Sequence, residues 1–368
     1  MGLALAYIES GATEPLYSEL LIRQHRKFQY PPSALLVLQA AQWIRGSSES
    51  ALPLLRIIGM FFVVAMVAAT AAILDRGLPP AASRGEAVVR VGAAAFLTLT
   101  FYPFVKSCSL GQIQVWINAL VAVILWCWMT GRKATAGLLL AIPCLIKPQY
   151  GLLLPWALLK GEWRLATTCA AAVAVGLGIS ISQYGWTNHL DYLEALSFIS
   201  RHGEAFYPNQ SVNGLMNRLW SIRYPDLYNN LYWGERYFPP HNPWVYGVTL
   251  ASSALLLVTA FFHPRVRADT RGFCIITLSA TMASPIAWDH HYGILLPLYA
   301  VLLPALIREG RGAGSLIALG ASYVLTSNFI AATNLLAATP FNVLQSYLFA
   351  GALAVLLLFY GLKNESAA

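Results

Sequence analysis

Asp289, His290 and His291 stand side by side in the run Ser284-Pro285-Ile286-Ala287-Trp288-Asp289-His290-His291-Tyr292. One carboxylate and two imidazoles can pass a proton, hold an anion or ligate a metal. A metal centre needs a further ligand, which only loop histidines such as His25, His189, His202 and His241 offer, so no metal is expected. Lys147-Pro148 lies among Leu145, Ile146, Tyr150 and Leu152. A lysine there either snorkels to an interface or neutralises an anion such as a phosphate. Two amide groups complete the polar set: Gln112, Gln114 and Asn118, and then Asn209, Gln210 and Asn213, with Arg218 two turns on. They suit the hydroxyls of a sugar, but amides at a membrane helix end also satisfy backbone groups or join helices. Ser211 is placed to cap the stretch after it. Phe28-Gln29-Tyr30-Pro31-Pro32 suits a helix start, with Arg23, His25, Arg26 and Lys27 as a basic patch ahead of it.

The surroundings decide how these groups are held. Of the 368 residues 57% are hydrophobic and 11% charged, whereas soluble domains carry about 25% charged residues. The chain is therefore read as a polytopic membrane protein. The net charge of +8 comes from short Lys/Arg clusters between apolar runs, the pattern of cytoplasmic loops facing anionic lipid. It argues for membrane lipids as partners and against nucleic acid. The five cysteines, Cys108, Cys127, Cys144, Cys169 and Cys274, have no metal or redox spacing and read as small buried hydrophobes. No signal peptide precedes Glu9.

The expected fold class is all-α, a polytopic transmembrane helical bundle of roughly ten membrane segments forming one domain over 1–368. Spans need about 20 apolar residues. They are predicted at Pro53–Leu74, Val88–Val105, Gln112–Thr130, Leu165–Ser182, Trp244–Phe262, Gly272–Ala287, Tyr292–Ile307, Gly314–Ala331 and Val343–Leu362. Ser33–Ile44 is too short to cross. Ala134–Leu159 is broken at Lys147-Pro148, and forms either a re-entrant hairpin with Lys147 at its outer tip or one kinked span. The hairpin keeps Arg132-Lys133 and Lys160–Arg164 on one side. With His263–Arg267, Arg308–Arg311 and Lys363 taken as cytoplasmic, residues 184–243 become one larger extracytoplasmic loop, rich in Trp, Tyr, Asn and Pro. Such a loop suits a sugar surface or an interfacial aromatic belt.

In this order the motifs resemble glycosyltransferase family 87, within the GT-C superfamily. The likeness lies in Phe28–Pro32, Gly111-Gln112, Ala136-Gly137 leading to Lys147-Pro148, Asn209–Gly214 with Arg218, and Ser284-Pro285 with Trp288–His291; it covers about Tyr17 to Ile307. The resemblance implies a GT-C-type bundle in the inner (plasma) membrane, multi-pass, and no cofactor. It implies transfer of a hexosyl residue, expected to be mannosyl, from a polyprenyl-phosphate-linked sugar donor to a lipid-linked or glycan acceptor outside the cytoplasm. A carboxylate would deprotonate the acceptor in one inverting displacement while cations hold the departing phosphate. Lys147, His290 and His291 would face that phosphate, and Gln112, Asn209 and Gln210 the sugar, with Gln114, Asn118, Asn213, Arg218 and Tyr30 beside them. The family's catalytic aspartate follows a first spanning helix ahead of the position of Tyr17. Neither is present after Met1, so the chain is expected to begin late, and Glu9, then Glu14, is the nearest substitute base. The fourth place of Gly111-Gln112-Ile113-Gln114 is Gln, where the family more often has Asn. A lipid or glycolipid transporter and an inactive partner subunit are the rival readings; no second broken helix supports the former.

Overall fold

The computed structural model describes residues 1–221 and 238–363. Among them the regular structure is helical. In chain order the helices are α1 (Gly2–Glu9), α2 (Leu35–Arg45), α3 (Ser48–Gly77), α4 (Arg84–Thr100), α5 (Tyr102–Ser109), α6 (Gln114–Met129), α7 (Lys133–Ile146) and α8 (Leu153–Leu159). They continue as α9 (Trp163–Tyr184), α10 (Trp186–His202), α11 (Val212–Ser221), α12 (Pro243–Phe262), α13 (Thr270–Met282), α14 (Leu295–Arg308), α15 (Ala313–Ser327) and α16 (Tyr347–Gly361). Five segments are long and apolar enough to cross a membrane: Ser50–Gly77, Trp163–Tyr184, Pro243–Phe262, Asp289–Arg308 and Pro340–Gly361. The bent pair α4 and α5 makes a sixth if it is taken as one broken span, and α6, α7 and α15 are shorter apolar helices.

Local sequence sets the boundaries. Ser83 accepts the amide of Glu86, whose carboxylate reaches back to Ala82, and Asp269 accepts the amide of Gly272, so orphan N-terminal amides of α4 and α13 are satisfied. The predicted span Val88–Val105 is not one straight helix. Phe101 leaves the helical region ahead of Pro103, and the axis turns by 59° between α4 and α5.

Ala134–Leu159 folds back on itself. Lys147, extended as a residue before proline must be, ends α7; a 3-10 turn, Pro148–Leu152, then starts α8. α7 and α9 run parallel: Gly137 lies against Leu165 and Thr168, and Leu145 against Gly176. Lys133 meets Glu162 at 3.3 Å. Two parallel helices starting at one level require α8 to return between them. Lys147 therefore occupies the tip of a hairpin, not the middle of a kinked rod.

The loops fall at two ends of the bundle. At one, Gly77 abuts Pro304, Lys133 pairs with Glu162, Arg265 donates to the carbonyl of Tyr360, and Lys363 donates its amide to Glu309. The polar motifs meet at the other. α6, α13 and α14 form the centre. The Asp289–Arg308 window is 78% buried, against 17–28% for Ser50–Gly77, Trp163–Tyr184 and Pro243–Phe262, which turn apolar side chains outward as membrane-facing helices do. The expected loop 184–243 contains two helices, α10 and α11. Residues 222–237, with much of its aromatic content, lie outside the described residues.

Candidate active site

Four elements converge on Asp289–Ile294, a 3-10 turn that leads into α14. α6 supplies Gln114 and Asn118, both fully buried. Gln114 Nε2 donates to Asn118 Oδ1 at 2.8 Å, and Asn118 Nδ2 donates to the carbonyl of His290 at 3.1 Å. This requires Gly293: a Cβ there would lie 2.1 Å from Asn118 Nδ2. The kink before α5 presents Tyr102, whose hydroxyl donates to Asp289 Oδ2 at 2.8 Å. The hairpin tip brings Lys147, 7% exposed, to His291, with Nζ 2.5 Å from Nε2.

The fourth element is the stretch 203–218. Asp289 donates its amide to the carbonyl of Pro208, and Gln210 donates its amide to the carbonyl of Ala287. Asn209 Nδ2 donates to the carbonyls of Glu204 and Pro285, while its Oδ1 accepts from the amide of Ala287 and from Ser211 Oγ. Gln210 Nε2 donates to the carbonyls of Tyr207 and Gln345, its Oε1 accepts the amide of Phe349, and the Tyr292 hydroxyl donates to its carbonyl. Asn213 Oδ1 takes the amide of Glu204 and Nδ2 of Asn217; its own Nδ2 donates to Thr249. Arg218 donates to the carbonyls of Phe206 and Asn209 and to Ser346 Oγ. Burial lowers the proton affinity of that guanidinium, and these bonds offset the cost of holding a cation there. The amides at 209, 210 and 213 thus tie the wall together, and Ser211 Oγ accepts the amide of Gly214 as a cap.

The imidazoles retain open valences. Asp289 Oδ1 lies 3.1 Å from His290 Nδ1, so that nitrogen carries the proton and Nε2 presents a lone pair. With Lys147 as the donor, Nε2 of His291 accepts and its Nδ1 carries the proton. Neither His290 Nε2 nor His291 Nδ1 has a hydrogen-bond partner among the described residues, and both are buried. Unpaired buried ring nitrogens cost about 1–3 kcal/mol each unless water or a ligand meets them. Beside an anion, which would keep Lys147 protonated, the cluster offers one cation, one N–H donor and one imidazole lone pair backed by a carboxylate.

Tyr30 links this cluster to a cavity of about 990 Å³. Its ring centroid is 5.9 Å from Lys147 Nζ, and burial pushes its phenol up to about 12, so it stays neutral. The cavity is lined mainly by apolar side chains such as Leu55, Met60, Val63 and Trp116, with Tyr30 and Gln112 on its wall. Gln112 is therefore in the cavity and not in the histidine network. Glu9 is exposed at the end of α1, on the side of Tyr184, and no described contact joins it to the cluster. Sequence reasoning missed Tyr102, Tyr207 and Glu204. Tyr102 is the residue before Pro103 in an apolar run, and that kink signal is the one feature that singles it out. Tyr207, whose phenol burial and then Asp289 push up, and Glu204 carry no pattern.

The profile of glycosyltransferase family 87 matches residues 28–285. That span holds Tyr30, Lys147 and the 209–218 stretch and stops just short of Trp288. A polyprenol-phosphate-mannose-dependent alpha-(1-2)-phosphatidylinositol mannoside mannosyltransferase of Mycobacterium tuberculosis is 25% identical over 291 residues, 75% of this chain and 61% of the relative. The chain thus spans about three-fifths of that relative's length. No solved structure matches.

Proposed function

The chain belongs to glycosyltransferase family 87, and from that premise we propose that it transfers a mannosyl residue from a polyprenyl-phosphate-linked donor to a lipid-linked or glycan acceptor. The carrying observation is the buried Lys147–His291 contact beside two ring nitrogens that have no hydrogen-bond partner among the described residues. In this reading Lys147 and the Nδ1–H of His291 hold the donor phosphate. The acceptor hydroxyl oxygen bonds to the anomeric carbon as the bond from that carbon to the phosphate oxygen breaks. The hydroxyl proton passes to Nε2 of His290, whose imidazolium Asp289 stabilises, and the electron pair leaves with the polyprenyl phosphate. Asp289 so acts through His290, and Glu9 has no part in the step.

Gln112 and Tyr30 border the sugar, and the apolar cavity beyond Tyr30 takes the isoprenoid chain. Asn209, Gln210, Asn213 and Arg218 serve as the frame that holds the Trp288–Tyr292 backbone, and Gln114 and Asn118 hold it from the opposite side. The bundle sits in the plasma membrane with roughly ten membrane segments, α7 and α8 forming a re-entrant hairpin. The Lys/Arg-rich end faces the cytoplasm and the site opens outward. Membranes carrying the chain, supplied with polyprenyl-phosphate mannose and a lipid acceptor, test this directly. Lys147→Ala should lower turnover at least about a hundredfold with expression retained; near-normal turnover removes Lys147 from the site.

A further inference from the structure

Glu204 follows Gly203 at the end of α10, one acid in a polar stretch, yet it is 2% exposed. Its Oε1 accepts from Lys27 Nζ at 2.7 Å and its Oε2 from the indole N–H of Trp288 at 2.7 Å. Its amide donates to Asn213 Oδ1, and its carbonyl accepts from Asn209 Nδ2. Both carboxylate oxygens are thus committed to distant segments. Lys27 lies three residues before Tyr30, and Trp288 directly precedes Asp289. The Trp288 ring meets the His290 ring edge-on, with centroids 5.4 Å apart and planes at 76°.

We infer that Glu204 is a positioning residue, a strut that joins the Tyr30 segment to the Asp289–His290 element and sets the direction of the His290 ring through Trp288. Its oxygens turn to Lys27 and Trp288, and no described contact joins its carboxylate to Lys147, His290 or His291. Burying a carboxylate with an ammonium contributes little net stability against an apolar pair of the same size. What the pair supplies is geometry: two fixed hydrogen-bond directions from one side chain. Its consequence for transfer rests on the reading above, while the mechanical tie does not.

Glu204→Gln leaves one acceptor oxygen, for which Lys27 and Trp288 compete, and sets an amide N–H against one of them. Hydrogen exchange on the purified full chain should show the amides of 286–292 exchanging about tenfold faster, with those of α6 unchanged. In the transfer assay kcat should fall about tenfold or more with the donor KM within about twofold. The double variant Lys27→Met/Glu204→Gln removes the competing ammonium and returns the amide oxygen to Trp288. It should recover both protection and most of kcat. Unchanged exchange at 286–292 in Glu204→Gln overturns the strut, and so does a double variant that stays unprotected. If the single variant does not fold, protection in the double variant decides the matter alone. Altered exchange in Glu204→Gln, with no transfer by the parent chain, refutes the proposed activity and leaves the strut standing.

Discussion

Gly293→Ala is the sharpest probe of how the site is held. An added Cβ would fall 2.1 Å from Asn118 Nδ2 and 2.6 Å from its Cγ. Asn118 is fully buried, so it cannot swing into solvent. It must abandon the carbonyl of His290 or break from Gln114. Losing one or two buried hydrogen bonds at about 1–3 kcal/mol each, with some strain from overpacking, gives about 2–5 kcal/mol. Asn118→Ala should cost about 1–3 kcal/mol alone, because it leaves partners unpaired but makes room. The two changes share one contact, so they should not add: Gly293→Ala on the Asn118→Ala background should be nearly neutral. Midpoints of thermal unfolding in detergent, measured for all four proteins, give the cycle, and transfer assays show whether turnover falls with displacement of the His290 backbone. Additive losses, or a Gly293→Ala protein as stable as its parent, would refute the claim that Asn118 and Gly293 are in contact.

Asp289→Asn keeps the shape of the site but leaves the His290 imidazolium unneutralised, so kcat should fall about a hundredfold or more; Tyr102→Phe, which removes one donor to Asp289, should cost about tenfold, both read at saturating donor. Gly59→Leu pushes a side chain into the cavity beside Trp116. It should raise the donor KM several-fold with kcat little changed, and an unaltered KM would place the isoprenoid chain elsewhere. On a Cys108→Ser background, an impermeant maleimide applied from outside should label Gln24→Cys and spare Arg132→Cys; strong labelling at 132 argues against the hairpin's placement in the bilayer.

Apolar length and basic clustering were enough to read an all-helical membrane bundle, because a helix that satisfies its own backbone in lipid announces itself by composition. The proline after Lys147 marked a break from sequence alone. Whether that break made a rod or a hairpin depended on α7 and α9 lying parallel, a packing fact carried by Gly137 and Gly176. The site divides in the same way. Asp289, His290, His291 and Lys147 drew notice because ionisable groups between apolar runs need a reason to be there, and the fold brings these four together. The amides at 209, 210 and 213 looked equally suited to a sugar, and only the fold spent their donors and acceptors on backbone groups and on the side chains of Ser211, Asn217 and Thr249. Tyr102 and Glu204 reach the site from residues 187 and 84 positions away from their partners. A hydrogen bond between such distant residues leaves no periodic trace in the chain; it exists only once the helices have packed.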